Sequence, residues 1–387
     1  MDFELTQDQK MISESAAAFA RRESPVTRLR ALRADPLGYT KATWKKMGEL
    51  GWLGILLPAA VGGFGGSFVD AGLILEALGS TLVPEPFLAS VVLAGSAIRI
   101  AGSDAQRERY LGPLVTGDTT LAFAYAESTG RYDPAHVTLR ARKDGGGYRL
   151  SGKKSFVLNG HAADVLVVSA RTSGGEAESR GVSLFLVDPK ERGVRVQPIK
   201  TMDGHHAAVI AFEDVALGAE HRLGDEDGAL ATVERVLDYG SAAACAEGVG
   251  ILRRSLDMTI EYLGTREQFG VKIGSFQALQ HRAVDMFVEL ETARSTSILA
   301  SIRADDDDEI ERKAAISTAK VQLAVSGRFV TQQAIQLHGG IGVTDEHDIG
   351  LYFKRMHVLN ALFGDEEYHV ARYASLSSFH GGRGAVA

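Results

Sequence analysis

The stretch YLGTREQFG at residues 262–270 and the stretch QLHGGIG at residues 336–342 decide how this sequence is interpreted. Each joins the end of a segment with helical periodicity to glycine-rich backbone, and Arg266 and Gln336 add long polar side chains. Arginine offers a two-pronged donor, glycine lets a ligand approach the backbone, and glutamine donates without charge. Either stretch alone fits a helix cap beside an exposed side chain. Together they predict a site for an anionic pyrophosphate.

Around these two stretches, the chain from residue 227 onward keeps helical periodicity. Four long helices are predicted, at residues 229–263, 277–303, 309–337 and 348–362. The first three, at about 25–35 residues, are longer than most globular helices, and such lengths are typical of an antiparallel bundle. Residues 227–387 are therefore predicted to form a C-terminal helical bundle.

The spacing of apolar residues changes from a helical to a strand-like pattern in the middle of the chain. Residues 119–226 contain short segments that alternate or are rich in β-branched side chains, and glycine-rich turns such as residues 144–147 separate them. Such a pattern predicts an antiparallel sandwich or barrel. Residues 1–118 again show helical spacing. We therefore predict an α+β fold with an N-terminal helical domain (1–118), a middle β-domain (119–226) and a C-terminal bundle (227–387).

Composition excludes several classes of protein. The 387 residues are 45% hydrophobic and carry a net charge of −7, which is typical of a globular protein and disfavours non-specific nucleic-acid binding. The longest apolar stretch, residues 87–98, is shorter than the ~20 residues that span a bilayer. The N-terminus does not resemble a signal peptide, and no metal-ligand spacing is present. The single cysteine, Cys245, excludes an intrachain disulfide and predicts a reducing, cytoplasmic location.

With these motifs, the sequence resembles the acyl-CoA dehydrogenase family over essentially its whole length. The specific motifs are Arg-x-x-Phe-Gly, at residues 266–270, and Gln-x-x-Gly-Gly-x-Gly, at residues 336–342. The resemblance implies the three-part architecture given above, FAD as cofactor, and oxidation of an acyl-CoA thioester to the trans-2-enoyl-CoA. It also implies a tetramer with FAD at a subunit interface, and an electron-transfer flavoprotein as electron acceptor.

The resemblance also implies which residues contact FAD. In the C-terminal domain, the residues expected to reach the FAD of a neighbouring subunit are Arg266, Gln268, Phe269 and Gln277. The residues expected to line the pyrophosphate are Gln336, Gly339 and Gly340. In the β-domain, Ala126 stands where the family usually has threonine, and Phe156 stands where it usually has tryptophan beside the flavin. Leu158 replaces a residue that usually carries a hydroxyl group in contact with the flavin. These replacements leave the flavin contacts there to backbone N–H groups.

The reaction needs a base that removes a proton from Cα while a hydride leaves Cβ, and a desolvated carboxylate suits this task. Two positions carry this base as glutamate in the family, and here they hold Gly364 and Gly240. Two nearby carboxylates are candidates instead. Glu247 lies about two turns after Gly240 on the same helical face, and Asp365 directly follows Gly364.

A different interpretation is that Glu247 pairs with a basic residue such as Arg253 or Arg254 and that the chain has no base. Two hypotheses therefore remain open. The chain is either a complete dehydrogenase or a non-catalytic partner subunit that helps to form the FAD and CoA site. Bacterial members with the Leu-Phe-Gly-Asp ending of residues 362–365 resemble this chain, and some are α2β2 heterotetramers that act on bulky substrates such as steroid side chains. The acyl group and the choice between homo- and heterotetramer stay undetermined.

Overall fold

The computed structural model describes residues 4–376, which form eleven α-helices and ten β-strands. The helices are α1 (Gln7–Glu23), α2 (Val26–Leu32), α3 (Lys41–Glu49), α4 (Phe68–Gly79), α5 (Ser96–Ala101), α6 (Asp104–Val115), α7 (Leu230–Thr265), α8 (Gln277–Arg303), α9 (Glu309–His338), α10 (Ile349–Ala361) and α11 (Glu366–Ala374). A π-helical segment, Leu88–Gly95, leads into α5.

The strands lie in the middle of the chain, apart from one short hairpin. They are β1 (Leu121–Ala124), β2 (Arg140–Asp144), β3 (Gly147–Leu158), β4 (Val165–Arg171), β5 (Val182–Val187), β6 (Val194–Lys200), β7 (His206–Leu217), β8 (Arg222–Leu223), β9 (Glu267–Gln268) and β10 (Val271–Lys272).

The chain forms two compact units. The first combines the chain up to Arg30, residues Phe68–Val83 and the chain from Ser241 onward, and the second combines Ala31–Ser67 with Pro84–Gly240. None of the helices within residues 4–376 combines the length and the apolar composition needed to span a lipid bilayer.

Helix α9 is the centre of the first unit, where it packs against α8, α10 and α11. Asp308 begins this helix by accepting hydrogen bonds from the backbone N–H groups of Ile310 and Glu311. Buried side chains lie on most of its surface rather than on one stripe, because neighbouring helices cover it on several sides. In the same unit, α1 packs on α4, and α4 packs on α8.

The second unit contains an eight-stranded sheet in the order β6-β7-β3-β2-β4-β5-β8, with β1 beside β4. Most pairs are antiparallel, but β1 and β2 both pair with β4 in parallel. The antiparallel prediction therefore holds for most of the sheet and is wrong at β4. Alanine, leucine and valine side chains from these strands form one core with Phe185 and Phe212.

The predicted α+β class is confirmed, with N-terminal helices, a central sheet and a C-terminal helical bundle. The predicted segment 277–303 matches α8 residue for residue. Among the short segments of residues 119–226, the alternation predicts separate strands at residues 148–150 and 155–158. The structure joins them in one long strand, β3, whose register shifts between Leu150 and Gly152 and between Lys154 and Val157. The irregular residues at these shifts break the alternation on which the prediction depended.

Candidate cofactor and active site

One groove in the first unit brings the two sequence motifs together. Its volume is about 640 Å³, and five of the residues implied as FAD contacts line it: Arg266, Gln268, Gln336, Gly339 and Gly340. Two others are exposed: Phe269 on the stretch of chain that links α7 to α8, and Gln277 at the start of α8. Residues separated by about 70 positions in the sequence thus face one cavity.

The first wall of the groove is a tight hairpin after the end of α7. Strands β9 and β10 flank Phe269 and Gly270, whose φ angles are 56° and 79°. Positive φ at both central residues is typical of a two-residue hairpin turn. The backbone N–H of Ile273 donates to the carbonyl oxygen of Arg266 over 2.9 Å and closes the base of the hairpin. The turn holds the Phe269 ring outward, where it is 91% exposed.

The second wall is the glycine-rich end of α9. Gly339 ends the helix with a φ of 62°, a positive value that glycine adopts without a steric penalty. A Cβ placed on Gly339 or Gly340 would meet no atom within 4 Å, so the space in front of both residues is open. A Cβ on Gly342 would lie 2.5 Å from the carbonyl oxygen of Ile335. The absence of a side chain at Gly342 therefore lets its backbone pack closely against the last turn of α9.

Two arginines make the groove positive. Arg266 and Arg282 line it, and neither forms an ion pair within residues 4–376. The lining contains no aspartate or glutamate. Unneutralised guanidinium groups beside open glycine backbone match the charge and the close approach of a pyrophosphate. The residues present therefore fit the dinucleotide part of FAD.

His338 belongs to the second motif but has a packing role in the structure. Its Nδ1 lies 2.7 Å from the carbonyl oxygen of Ala334, and its ring lies between those of Tyr262 and His347, at centroid distances of 4.7 Å and 4.6 Å. Burial lowers the pKa of His338, so the ring is neutral near pH 7. A neutral stacked ring fixes the end of α9 and adds no charge to the groove.

The three residues expected beside the flavin ring lie on neighbouring segments of the second unit. The backbone N–H of Ser155 donates to the carbonyl oxygen of Ala126 over 2.8 Å, which joins the chain after β1 to the irregular part of β3. Phe156 has a φ of 50° and an exposed ring, and Leu158 is half-buried at the end of the strand. The structure thus places Ala126 next to the strand that carries Phe156 and Leu158.

A buried ion pair anchors this part of the second unit. Lys154 Nζ donates to Glu127 Oε1 over 2.7 Å, and to Tyr125 O and Ser169 Oγ. Burial lowers the pKa of Lys154 to about 8. Burial alone raises the pKa of Glu127, but Lys154 and the hydrogen bonds from Thr138 outweigh it, so this pKa lies below its usual value. The sequence analysis assigned no role to this pair.

Position 364, one of the two base positions that the family resemblance predicts, has no room for a side chain without movement of its neighbours. Gly364 has a φ of 121°, in a region that side chains rarely adopt. A Cβ built on this glycine would lie 2.3 Å from Cδ1 of Tyr368 and 2.7 Å from Nε2 of His369. The backbone and its neighbours therefore exclude the carboxylate from this position.

Glu247 forms a buried ion pair with Arg355. Arg355 Nε donates to Glu247 Oε1 over 2.6 Å and its Nη2 donates to Oε2 over 3.0 Å, and the two residues are 8% and 7% exposed. The suggested partners Arg253 and Arg254 were wrong, because these residues pair with Glu291 and Glu261. Both oxygens of Glu247 already accept hydrogen bonds, so the side chain is part of the framework that joins α7 to α10.

Asp365 caps a helix. Its Oδ1 accepts a hydrogen bond from the backbone N–H of Tyr368 over 2.9 Å at the start of α11, and the side chain is exposed. An aspartate in this position satisfies an otherwise unpaired donor and favours the helix dipole. Asp365 therefore has a structural role in the turn that follows Gly364.

Lys320, on α9, caps the end of α10 just before the turn at Gly364. Its ammonium group is fully buried and donates to the carbonyl oxygens of Leu359 and Leu362, each over 2.8 Å. These carbonyls belong to the end of α10, where the helix has no further N–H donors of its own. Burial lowers the pKa of Lys320 to about 8. The sequence analysis missed this residue, since nothing near it in the sequence marks it as a cap.

Comparison with known families decides the identity of the fold. Models of the N-terminal, middle and C-terminal domains of acyl-CoA dehydrogenases match residues 6–118, 122–215 and 226–375. The chain belongs to the acyl-CoA dehydrogenase family. Members of this family are FAD-dependent oxidoreductases that act on acyl-CoA, and the groove described above fits that cofactor.

Individual acyl-CoA dehydrogenases match over nearly the full length of the chain. Acyl-CoA dehydrogenase IpdE2 of Mycolicibacterium smegmatis is 31% identical over 95% of this chain and 98% of its own length. The structure of butyryl-CoA dehydrogenase from Megasphaera elsdenii has a TM-score of 0.89 at 26% identity, over 97% and 99% of the two chains. The ChsE4-ChsE5 complex from Mycobacterium tuberculosis has a TM-score of 0.88 at 27% identity, over 98% and 99%.

Proposed function

We propose that this chain is one subunit of a two-chain acyl-CoA dehydrogenase and that the second chain supplies the catalytic base. The reaction removes a proton from Cα and a hydride from Cβ of an acyl-CoA thioester, which gives the trans-2-enoyl-CoA. FAD, when bound, supplies the hydride acceptor, and the electron pair then leaves to an electron-transfer flavoprotein. The observation that carries the proposal is the exclusion of any side chain at Gly364.

The other candidate carboxylates support the same conclusion. Glu247 has both oxygens engaged by Arg355, and Asp365 caps α11. A base must come within hydrogen-bond reach of the proton that it removes. Neither carboxylate is available for this without giving up a structural contact. A relative in the ChsE4-ChsE5 complex, whose name describes two different chains together, supports a two-chain assembly.

In this proposal the chain binds and positions the cofactor. Arg266 and Gln268 would donate to the pyrophosphate of the FAD of a neighbouring subunit, with Gln336 and the backbone of Gly339 and Gly340 on the opposite wall. Phe269 and Gln277 would contact the same FAD. In the second unit, Ala126, Phe156 and Leu158 cover the flavin ring, and the Glu127–Lys154 pair holds their segments in place.

Reconstitution tests the proposal. The chain is purified alone and after co-expression with a second acyl-CoA dehydrogenase chain of the same organism that carries glutamate at a family base position. We expect co-purification as one flavin-loaded assembly that converts acyl-CoA to enoyl-CoA, and no turnover by the chain alone. Turnover by a homomeric preparation of this chain would contradict the proposal.

A second candidate function is a complete homomeric dehydrogenase with Glu247 as base. The placement of this carboxylate in a run of small residues on α7, two turns from Gly240, favours it. In that case Glu247→Gln abolishes the turnover of the homomer while flavin stays bound. The same variant has no effect on chemistry if the base belongs to the second chain.

A further inference from the structure

The FAD motifs leave one charged side chain of the groove without an assigned role. Arg282 lies on α8, five residues after Gln277, and lines the same cavity as Arg266. Leu279, one turn earlier on the same face of α8, lines the cavity as well. The first two turns of α8 thus form a third wall, which neither sequence motif contains.

Arg282 is not neutralised by the protein. It forms no ion pair within the described chain, although Asp285 follows one turn later on the same helix. The other arginines of α8 differ in this respect, since Arg294 contacts Glu291 and Arg303 contacts Asp306. Two guanidinium groups that face one cavity without counter-ions repel each other. An anionic ligand removes this repulsion.

We propose that Arg282 is a second pyrophosphate-binding residue and that Arg266 and Arg282 together neutralise the two phosphates of FAD. Each phosphate of the pyrophosphate carries a negative charge, so a single arginine leaves one charge uncompensated. Arg266 approaches from the α7 wall, Arg282 approaches from the α8 wall, and Gly339 and Gly340 leave open backbone between the motifs. The inference rests on the proposed function for the identity of the ligand.

Flavin affinity tests this assignment without reference to turnover. The flavin-loaded assembly is stripped of FAD, and the apoprotein of each variant is titrated with FAD while flavin fluorescence is followed. We expect Arg282→Gln to weaken FAD binding by about tenfold to a hundredfold, since a charge-assisted hydrogen bond is lost. Arg282→Lys keeps the charge and is expected to recover part of the affinity. The salt dependence of FAD binding becomes shallower in Arg282→Gln, because fewer charges take part.

Matched variants and a second probe make the result specific. Arg294→Gln lies on the same helix with its guanidinium paired to Glu291, and its FAD affinity is expected to equal that of the unchanged chain. FMN lacks the pyrophosphate, so Arg282→Gln is expected to change its dissociation constant by less than that of FAD. Far-UV circular dichroism of the apoprotein verifies that each variant is folded.

The outcomes separate this inference from the proposed function. If Arg266→Gln weakens FAD binding and Arg282→Gln does not, the role of Arg282 is overturned and the groove remains the FAD site. If both variants bind FAD as the unchanged chain does, the groove itself is rejected as the pyrophosphate site. Equal weakening of FAD and FMN by Arg282→Gln overturns pyrophosphate recognition. None of these outcomes depends on which chain carries the base.

Discussion

At the scale of single residues, the main finding is that the expected base positions of this chain are used for structure. Gly364 is held at a positive φ against Tyr368 and His369, and Glu247 is bound by Arg355. Sequence inspection showed a glycine at position 364, and the assignment of this position as a base position stays a prediction. It misidentified the partner of Glu247, because residues 247 and 355 are 108 positions apart and only the packing of α7 against α10 brings them together.

Glu247→Gln tests whether the Glu247–Arg355 pair is structural. Removing one member of a buried pair leaves the other charge uncompensated, which costs about 3–5 kcal/mol. We therefore expect a clear fall in the midpoint of thermal unfolding. The control is Glu261→Gln, which breaks an exposed pair with Arg254 and is expected to cost about 0–1 kcal/mol. Unchanged stability in Glu247→Gln would show that the pair does not hold α7 to α10.

Gly364→Ala tests the steric exclusion at the turn. A side chain at this positive φ costs about 1–3 kcal/mol in backbone strain, before the contact with Tyr368 is counted. The matched control is Gly264→Ala in α7, where a Cβ meets nothing within 4 Å and alanine is the better helix former. Thermal unfolding should show a loss for Gly364→Ala and no loss for Gly264→Ala. A tolerated alanine at 364 would mean that the turn has room for a base.

At the scale of elements, sequence periodicity predicted the bounds of the long helices closely but did not predict which strands pair. The bounds of α8 were correct because its apolar spacing is uninterrupted from Gln277 to Arg303. The parallel pairing of β1 with β4 was missed, since alternation reports which residues face a core but not which strands are neighbours. The two motifs predicted one shared groove, but Arg282 was missed because it lies outside both.

The buried ammonium group of Lys320, which joins α9 to the end of α10, is expected to make the stability of the fold depend on pH. Burial lowers the pKa of Lys320 in the folded chain to about 8 from its usual 10.5. Between these two pH values the unfolded chain binds the proton that the folded chain has lost, so this residue stabilises the fold increasingly as pH rises. Below pH 8 the folded chain bears the full cost of burying the charge.

Lys320→Met isolates this contribution. Relative to the variant, the unchanged chain should gain up to about 1.4 kcal/mol per pH unit between pH 8 and 10, measured by chemical unfolding. The difference between the two proteins removes the contributions of other groups that titrate in this range, such as Lys154. Lys354→Met, at a half-buried position on α10 where the ammonium group pairs with Asp345, serves as control and should show no such trend. A flat difference for Lys320→Met would contradict the assignment.

At the scale of the whole molecule, the chain has the fold of an acyl-CoA dehydrogenase and a groove that fits FAD, and we propose that it lacks a carboxylate placed to act as base. The family motifs at residues 266–270 and 336–342 fold into one cavity, as the sequence predicted. Gly364 is packed against Tyr368 and His369, and Glu247 is paired with Arg355. A chain that binds FAD but takes its base from a second chain, as we propose, would combine the FAD groove with these structural contacts.

Anaerobic mixing with substrate tests this central claim most directly. The flavin-loaded chain, free of any second chain, is mixed with acyl-CoA thioesters of different length and bulk, and the flavin absorbance is followed. The account predicts no bleaching by this chain alone and bleaching once the second chain is present, because proton removal from Cα needs the base of that chain. Bleaching by the chain alone, lost in Glu247→Gln, would contradict it and establish Glu247 as the base.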